Sequence, residues 1–340
     1  MTAARVLIVD DSAVMRALVR NTLSNDDSIE IVGEATNVAE ARQKIKEIEP
    51  DVLTLDVEMP GMNGLEFLEK IMRLRPMPVV MVSSLTRPGA DAALRAFEIG
   101  AFDCVAKPNG SLGGNFSTLP SIVKQAAAAK ARIGLRVERA GAPASVQPAA
   151  MERKADWPQI VAIGASTGGV EALIAFLSNY PKNCPPTVIV QHMPGLFTTS
   201  FAARLDRACA ARVAEAEDGE PLMEGRVYLA RGGRHLRVRT GAQPRCVVRG
   251  EEVNQGHCPS VDTLFHSVAE NYGAGATGVL LTGMGRDGAE GLLAIRREGG
   301  RTFAQDKGTA LVYGMPRVAH EIGAVDRGTP LHAIAREVFA

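Results

Sequence analysis

Val6-Leu7-Ile8-Val9-Asp10-Asp11-Ser12 decides the fold of the first part of the chain. Four apolar residues in a row, with no polar alternation, suit a strand buried on both faces, which a parallel sheet covered by helices provides. The residues that follow end the strand and start a helix, because Asp-Asp-Ser offers N-caps to the apolar-periodic Ala13–Leu23. Outward from there the pattern repeats. Strand-like runs fall at Ile29–Ala35, Val52–Leu55, Val79–Val82 and Cys104–Ala106, separated by helix-period stretches such as Leu65–Met72 and Ala90–Ile99. Five βα units in about 120 residues predict a flavodoxin-like, five-stranded parallel α/β sheet.

A second alternation opens at Ile160–Ile163, a strand, followed by a helix at Val170–Ser178, a strand at Thr187–Val190 and a helix at Leu196–Ala208. Val227–Ala230, Leu236–Arg239 and Cys246–Val248, spaced by Gly and Pro, read as hairpins. The α/β pattern returns with Val261–Asn271, Gly278–Thr282, Ala289–Glu298 and the short strand Thr302–Ala304. This predicts a second doubly wound α/β domain with an antiparallel hairpin insertion. Between the two blocks, the Ala-rich stretch from Gln125 gives way to Gly141-Ala142-Pro143-Ala144-Ser145-Val146-Gln147-Pro148-Ala149-Ala150. Such a segment reads as a helix end and a flexible linker. The expected division is 1–125, a linking segment 126–156, and 157–340.

The length of 340 residues fits that division, at roughly 150 residues per domain. Formal net charge is zero, which argues against a nucleic-acid partner, since binding phosphate backbones needs a basic surplus. The balance hides an asymmetry: −5 over 1–109, +4 over 110–157 and +1 over 158–340. Apolar residues at 46% and charged residues at 22% exclude wholesale disorder. No apolar run approaches the ~18–20 residues a membrane-spanning helix needs, and no signal segment precedes Val6. Five cysteines without C-x-x-C spacing suggest neither a disulfide framework nor a zinc site. The expectation is a cytoplasmic, soluble protein.

Asp10 and Asp11 end the first predicted strand, Asp56 the third and Lys107 the fifth, so all four lie on the carboxyl edge of a parallel sheet. Three carboxylates there repel one another unless a cation sits between them, and an all-oxygen ligand set favours Mg²⁺. Taken alone, Asp-Asp-Ser is a helix cap and Asp56 a turn residue; together, at strand ends, they point to phosphoryl chemistry.

Gly164-Ala165-Ser166-Thr167-Gly168-Gly169 follows a strand and opens a helix. Flanking glycines let the chain turn sharply and lift Ser166 above the sheet edge, while the amides that follow it, beginning with Thr167, can stabilise an oxyanion. Serine needs a base, and His192 ends the next strand; Asp287, in the loop after Gly278–Leu281, supplies a third polar group at a strand end. A phosphate-binding loop is the competing reading of the glycines, but no Gly-Lys-Ser/Thr is present and the next strand ends in Gln191-His192 rather than an acid for ribose. A structural histidine and a helix N-cap are the plain readings of His192 and Asp287. The other histidines, His257 included, carry only structural readings. The order Ser166, His192, Asp287 differs from the Ser, acid, His order of α/β-hydrolases.

The first block resembles the receiver domain of two-component response regulators, over about 1–125, through Asp10-Asp11, Asp56-x-x-Met59-Pro60-Gly61-Met62-Asn63-Gly64, Ser83 and Lys107-Pro108. The resemblance implies phosphorylation of Asp56, Mg²⁺ held by Asp11, Asp56 and the Glu58 carbonyl with Asp10 acting through water, and a switch through Ser83 and Lys107. Ser84 competes with Ser83 for the switch role. Cys104 stands where many receivers carry an aromatic.

The second block, over about 158–338, resembles the catalytic domain of the CheB family of chemotaxis protein-glutamate methylesterases. The marks are Gly164–Gly169, Gln191-His192-Met193-Pro194, Gly225–Ala230, His257-Cys258-Pro259-Ser260-Val261-Asp262, Thr282–Gly288, Gln305-Asp306 and Gly314-Met315-Pro316-Arg317. Arg286, Arg231 and Cys258 depart from the usual Asn, Pro and Arg. The resemblance implies Ser166 as nucleophile, His192 as base, Asp287 as its orienting acid and the Met284 amide as an oxyanion donor, with no cofactor in that domain. It implies demethylation, and deamidation of glutamines, on methyl-accepting chemotaxis receptors, with a chemotaxis histidine kinase as phosphodonor; a monomer is expected. The alternatives are a receiver with a DNA-binding or a non-catalytic nucleotide-binding output.

Overall fold

Apolar runs buried on both sides become strands, and the polar residues that end them become caps. This computed structural model describes residues 3–84, 86–108, 116–139, 157–250 and 256–340. It divides into two compact units, Met1–Pro143 and Ala144–Ala340.

In the first unit the elements run β1 (Ala4–Val9), α1 (Ala13–Leu23), β2 (Ile29–Ala35), α2 (Val38–Ile48), β3 (Val52–Asp56), α3 (Gly64–Leu74), β4 (Val79–Ser83), α4 (Arg87–Ile99), β5 (Asp103–Ala106) and α5 (Leu119–Arg139). The strands form a parallel sheet in the order β2-β1-β3-β4-β5, the flavodoxin-like arrangement expected from the alternation. Helices α1, α2, α3 and α4 each begin where a side chain satisfies an otherwise unpaired amide. Ser12, Asn37, Asn63 and Thr86 accept from the amides of Met15, Glu40, Glu66 and Gly89. The helix end expected beyond Gln125 is the later part of α5; the proposed flexible stretch from 140 to 156 lies outside the described residues.

The second unit runs β6 (Ile160–Ala165), α6 (Gly169–Leu177), β7 (Thr187–Gln191), α7 (Gly195–Ala208), β8 (Arg212–Glu215), β9 (Arg226–Leu229), β10 (His235–Arg239), β11 (Arg245–Arg249), α8 (Val261–Tyr272), β12 (Ala276–Leu280), α9 (Ala289–Arg297), β13 (Arg301–Gln305), α10 (Met315–Glu321), β14 (Gly328–Thr329) and α11 (Leu331–Val338). Seven parallel strands form one sheet, β14-β13-β12-β6-β7-β9-β8. Among the described residues of this unit, β10 and β11 form the one antiparallel strand pair, with a single antiparallel bridge between Pro221 and Arg245 beside it.

The reading of Val227–Ala230 as part of a hairpin is therefore corrected. That run is β9, parallel to both β7 and β8. Its partner β8 went unseen because Arg-Val-Ala-Glu at the sheet edge buries one apolar side chain and offers no run. Helices α6, α7 and α11 pack as one group and α8, α9 and α10 as another. The first group is tied by aromatic contacts: Phe339 lies 4.9 Å from Trp157 and 5.0 Å from Tyr180, centroid to centroid. From β6 the chain moves to β7 on one side, while β12 and then β13 lie on the other. Such a reversal leaves a crevice at the carboxyl ends of β6 and β12.

Candidate active site and candidate metal centre

Register brings the two proposed active groups of the second unit to that edge. Ala165 of β6 pairs with Gln191 of β7, so Ser166 and His192 each stand one residue past a paired position. The His192 amide donates to the Ala165 carbonyl, and Gln191 Nε2 donates to the Ser166 carbonyl at 3.0 Å, so the two turns are bonded to each other. On the other side, the Ser166 amide donates to the Thr282 carbonyl at 3.0 Å. Its N–H is thereby committed, which leaves the oxyanion role to other amides.

Two glycines make this approach possible. Gly168 sits at φ +76°, and a side chain there would strike Leu311 at 2.8 Å. A Cβ on Gly283 would come 2.8 Å from Ser166 Cβ, so the loop carrying Met284 packs directly on the serine turn. Met284 itself is exposed at the end of that turn. Thr167 follows Ser166, and its carbonyl accepts from the Thr282 hydroxyl at 2.9 Å.

His192 Nε2 lies 2.8 Å from Asp287 Oδ2. With Nε2–H donating to the carboxylate, Nδ1 carries the lone pair. That atom is buried and has no hydrogen-bond partner among the described residues. Asp287, 1% exposed, also accepts from Ser260 Oγ at 2.9 Å and from the amides of Val261 at 2.7 Å and Asp262 at 3.0 Å. Burial would raise its pKa, but the bond to His192 and these amides more than offset burial and hold the carboxyl at about 2.

Asp287 therefore does not cap its own helix. The N-cap of α9 is Gly288, with no side-chain bond, whereas the Asp287 carboxylate meets the first amides of α8. Asp262, in the first turn of α8, returns the favour by accepting from Gly291 in α9 at 2.7 Å. The two helix starts cap each other through buried acids. Burial, together with the neighbouring Asp287 charge, lifts Asp262 to about 6 in spite of the Gly291 bond.

Sequence reasoning missed His257. Its ring stacks on that of His192, with centroids 3.9 Å apart and planes within 5°. Burial pushes its pKa down to about 4, the neighbouring His192 lowers it further and Asp287 opposes, so it is neutral at neutral pH. The run His257–Asp262 is one of the marks of the resemblance, but nothing in its residues signals this ring contact.

In the first unit Asp10, Asp11 and Asp56 bring a carboxylate oxygen each within 4.8 Å of one another. Asp10 and Asp56 are buried at 3% and 1% exposure, and Asp11 is exposed. Lys107 Nζ lies 2.7 Å from Asp56 Oδ1 and 3.9 Å from Asp10 Oδ2. Burial and the Asp56 charge raise Asp10 to about 6, against the Ser12 amide and Lys107. Burial also raises Asp56, despite Lys107. Asp56 Oδ2 is buried without a hydrogen-bond partner among the described residues, an orphaned acceptor that a cation or a phosphoryl group would satisfy. The donor set is all oxygen and fits a hard divalent ion.

Glu58 follows Asp56 by two residues, and its amide donates to Asp56 Oδ1 at 3.2 Å. Ser83 is the last residue of β4 and is buried; its hydroxyl donates to the Gly89 carbonyl at 3.1 Å rather than to the acidic cluster. Ser84, one residue on, sits 3.4 Å from Glu58 Oε1. Lys107 is bonded through its amide to the Ser83 carbonyl at 2.7 Å, which links the two expected switch positions through the backbone.

Fold and site together define a class: a flavodoxin-like unit with an acidic cluster at its sheet edge, in one chain with an α/β unit that sets Ser, His and Asp on one sheet edge. The response regulator receiver family matches residues 6–112, and the CheB methylesterase family matches residues 161–338. A protein-glutamate methylesterase/protein-glutamine glutaminase of Agrobacterium fabrum is 56% identical over 99% of this chain and 96% of its own. One of the same description from Caulobacter vibrioides is 54% identical over 100% and 98%. The Thermotoga maritima CheB methylesterase catalytic domain is 38% identical, with a TM-score of 0.52 over 54% of this chain and 97% of that one. The chain belongs to the CheB methylesterase family.

Proposed function

We propose that this protein is a phosphorylation-activated serine hydrolase that removes methyl groups from glutamate methyl esters of methyl-accepting chemotaxis receptors and deamidates receptor glutamines. The observation that carries the reading is the His192–Asp287 pair, anchored at the sheet edge where Ser166 stands. Nδ1 of His192 takes the Ser166 hydroxyl proton as Oγ attacks the ester carbonyl. The oxyanion is met by the amides of Met284 and Thr167, and Asp287 stabilises the imidazolium. His192 then returns the proton to the departing methoxide, releasing methanol. A water, deprotonated by the same nitrogen, attacks the acyl-serine and frees the glutamate carboxylate. With glutamine, ammonia leaves by the same route.

In the receiver, Asp56 accepts the phosphoryl group from a chemotaxis histidine kinase. Mg²⁺ would be held by Asp11, Asp56 and the Glu58 carbonyl, with Asp10 through water; when bound, it neutralises charge that develops on the transferring phosphoryl group. Lys107 pairs with a phosphoryl oxygen, and Ser83 or its neighbour Ser84 supplies the switch hydroxyl. Residues 1–125 form the receiver, 126–156 link, and 157–340 catalyse. Among the described residues no helix is long and apolar enough to cross a membrane. The family points to action on receptor cytoplasmic segments, and the zero net charge to a partner other than nucleic acid; a cytoplasmic monomer is part of the proposal. Methanol release from a methylated receptor fragment is expected to vanish in Ser166→Ala, as is ammonia release from its glutamine form. Release that survives Ser166→Ala overturns the assignment.

A further inference from the structure

We propose that His257 is a positioning residue for the base: its imidazole, stacked face to face on that of His192, fixes the plane of the base and keeps water off that face. The inference rests on the hydrolase reading above, with His192 as the proton acceptor.

A single hydrogen bond from Nε2 to Asp287 locates one edge of the His192 ring but leaves the ring free to roll about that bond. A parallel ring at 3.9 Å removes this freedom. The stack is continuous with the device that holds the acid. Three residues beyond His257, Ser260 Oγ and then the amides of Val261 and Asp262 grip the Asp287 carboxylate. Ser260 is itself fixed, its amide donating to His235 Nδ1 at 3.1 Å. One short segment, 257–262, thus controls the base twice: at its edge, through Asp287, and at its face, through His257.

A cation at this position would repel the imidazolium formed during proton transfer, whereas a neutral ring does not. The titratable groups that face His257 are His192, after β7, and Asp287, in the loop before α9. Burial keeps His257 neutral against the pull of Asp287. Positioning of this kind matters because misplacing a reacting group by about 1 Å costs up to ~100-fold in rate.

The test uses the full chain with a small phosphodonor and a methylated receptor fragment. kcat, KM and the pH profile are measured for wild type, His257→Ala, His257→Phe and His257→Gln, with Ser166→Ala as baseline and thermal melts for each. His257→Ala is expected to lower kcat by about tenfold or more with KM little changed. Its acid limb moves to higher pH, because water on the open face favours the charged imidazolium. His257→Phe, which keeps a flat ring, restores most of kcat and the wild-type limb. His257→Gln, close in size but without a ring, does not. If His257→Ala melts early, the Phe-against-Gln comparison decides. Wild-type kcat and profile in His257→Ala, or Phe no better than Gln, overturns the proposal. Wild type no faster than Ser166→Ala contradicts the hydrolase reading itself and the positioning role with it.

Discussion

Asp287 is the residue on which most of the site turns. It accepts four hydrogen bonds in a buried place, so replacing it tests geometry and charge separately. Asp287→Asn keeps the shape and some of the bonds but removes the charge that, in the proposed mechanism, steadies the imidazolium. kcat for ester hydrolysis is expected to fall by roughly 10²–10⁴-fold with KM little changed. The folded carboxyl sits at about 2, below its ordinary 3.8. Its ionised form therefore contributes stability above about pH 4, and that contribution is lost as pH falls toward 2. Urea midpoints of wild type and Asp287→Asn should converge over that window.

Asp10 behaves oppositely. Raised to about 6, it favours the folded state most when protonated, and its contribution declines as pH climbs from about 4 through 6. A divalent cation offsets that charge only once it exists. Added Mg²⁺ should therefore raise the melting temperature of the receiver by on the order of 3 °C at pH 7.5 and by clearly less at pH 5. An equal shift at both values would remove Asp10 from the site.

These residues were legible in unequal degree. Ser166, His192, Asp10 and Asp56 could be found from sequence because each ends an apolar run, and a parallel sheet sends all such ends to one edge. His257 could not. Its contact with His192 depends on how the loop before α8 folds back over the sheet edge, and no periodicity encodes that. Asp287 was readable as a strand-end acid, but the cross-capping with Asp262 joins residues 25 apart in sequence and depends on α8 lying against α9.

Among elements, the long apolar strands and capped helices of the receiver followed from local pattern, since each carries its own start signal. The end of the second unit did not. Helix α11 is eight residues long, lacks a side-chain cap and makes its case through packing. Ile334 and Val338 are buried, and so is Phe339 just after it, against Trp157 and Tyr180. Strand β8 was hidden for a related reason: pairing with β9 makes it a strand, and its composition does not. Removing that packing has a measurable consequence. Phe339→Ala should destabilise the second unit by about 3–5 kcal/mol, read as a lower urea midpoint with an unchanged slope. A loss under about 1 kcal/mol would mean that the aromatic cluster does not anchor the helix.

At the scale of the whole molecule, the proposed function gives the two α/β units complementary chemistry: one would store a phosphoryl group on a carboxylate, the other would cleave an ester. Coupling requires that phosphorylation shift an equilibrium between low- and high-activity states. If the unphosphorylated receiver restrains the hydrolase, the fragment 157–340 should outpace the unphosphorylated full chain. The most direct measurement is methanol release from a methylated receptor fragment, with and without Mg²⁺ and acetyl phosphate. It compares the full chain, Asp56→Asn and the 157–340 fragment, with Ser166→Ala as the baseline. The account predicts release that rises with phosphodonor in the full chain, does not respond in Asp56→Asn, and is high in the fragment under both conditions. Release from the full chain that is the same with and without phosphodonor, or a fragment slower than the unphosphorylated chain, would contradict it.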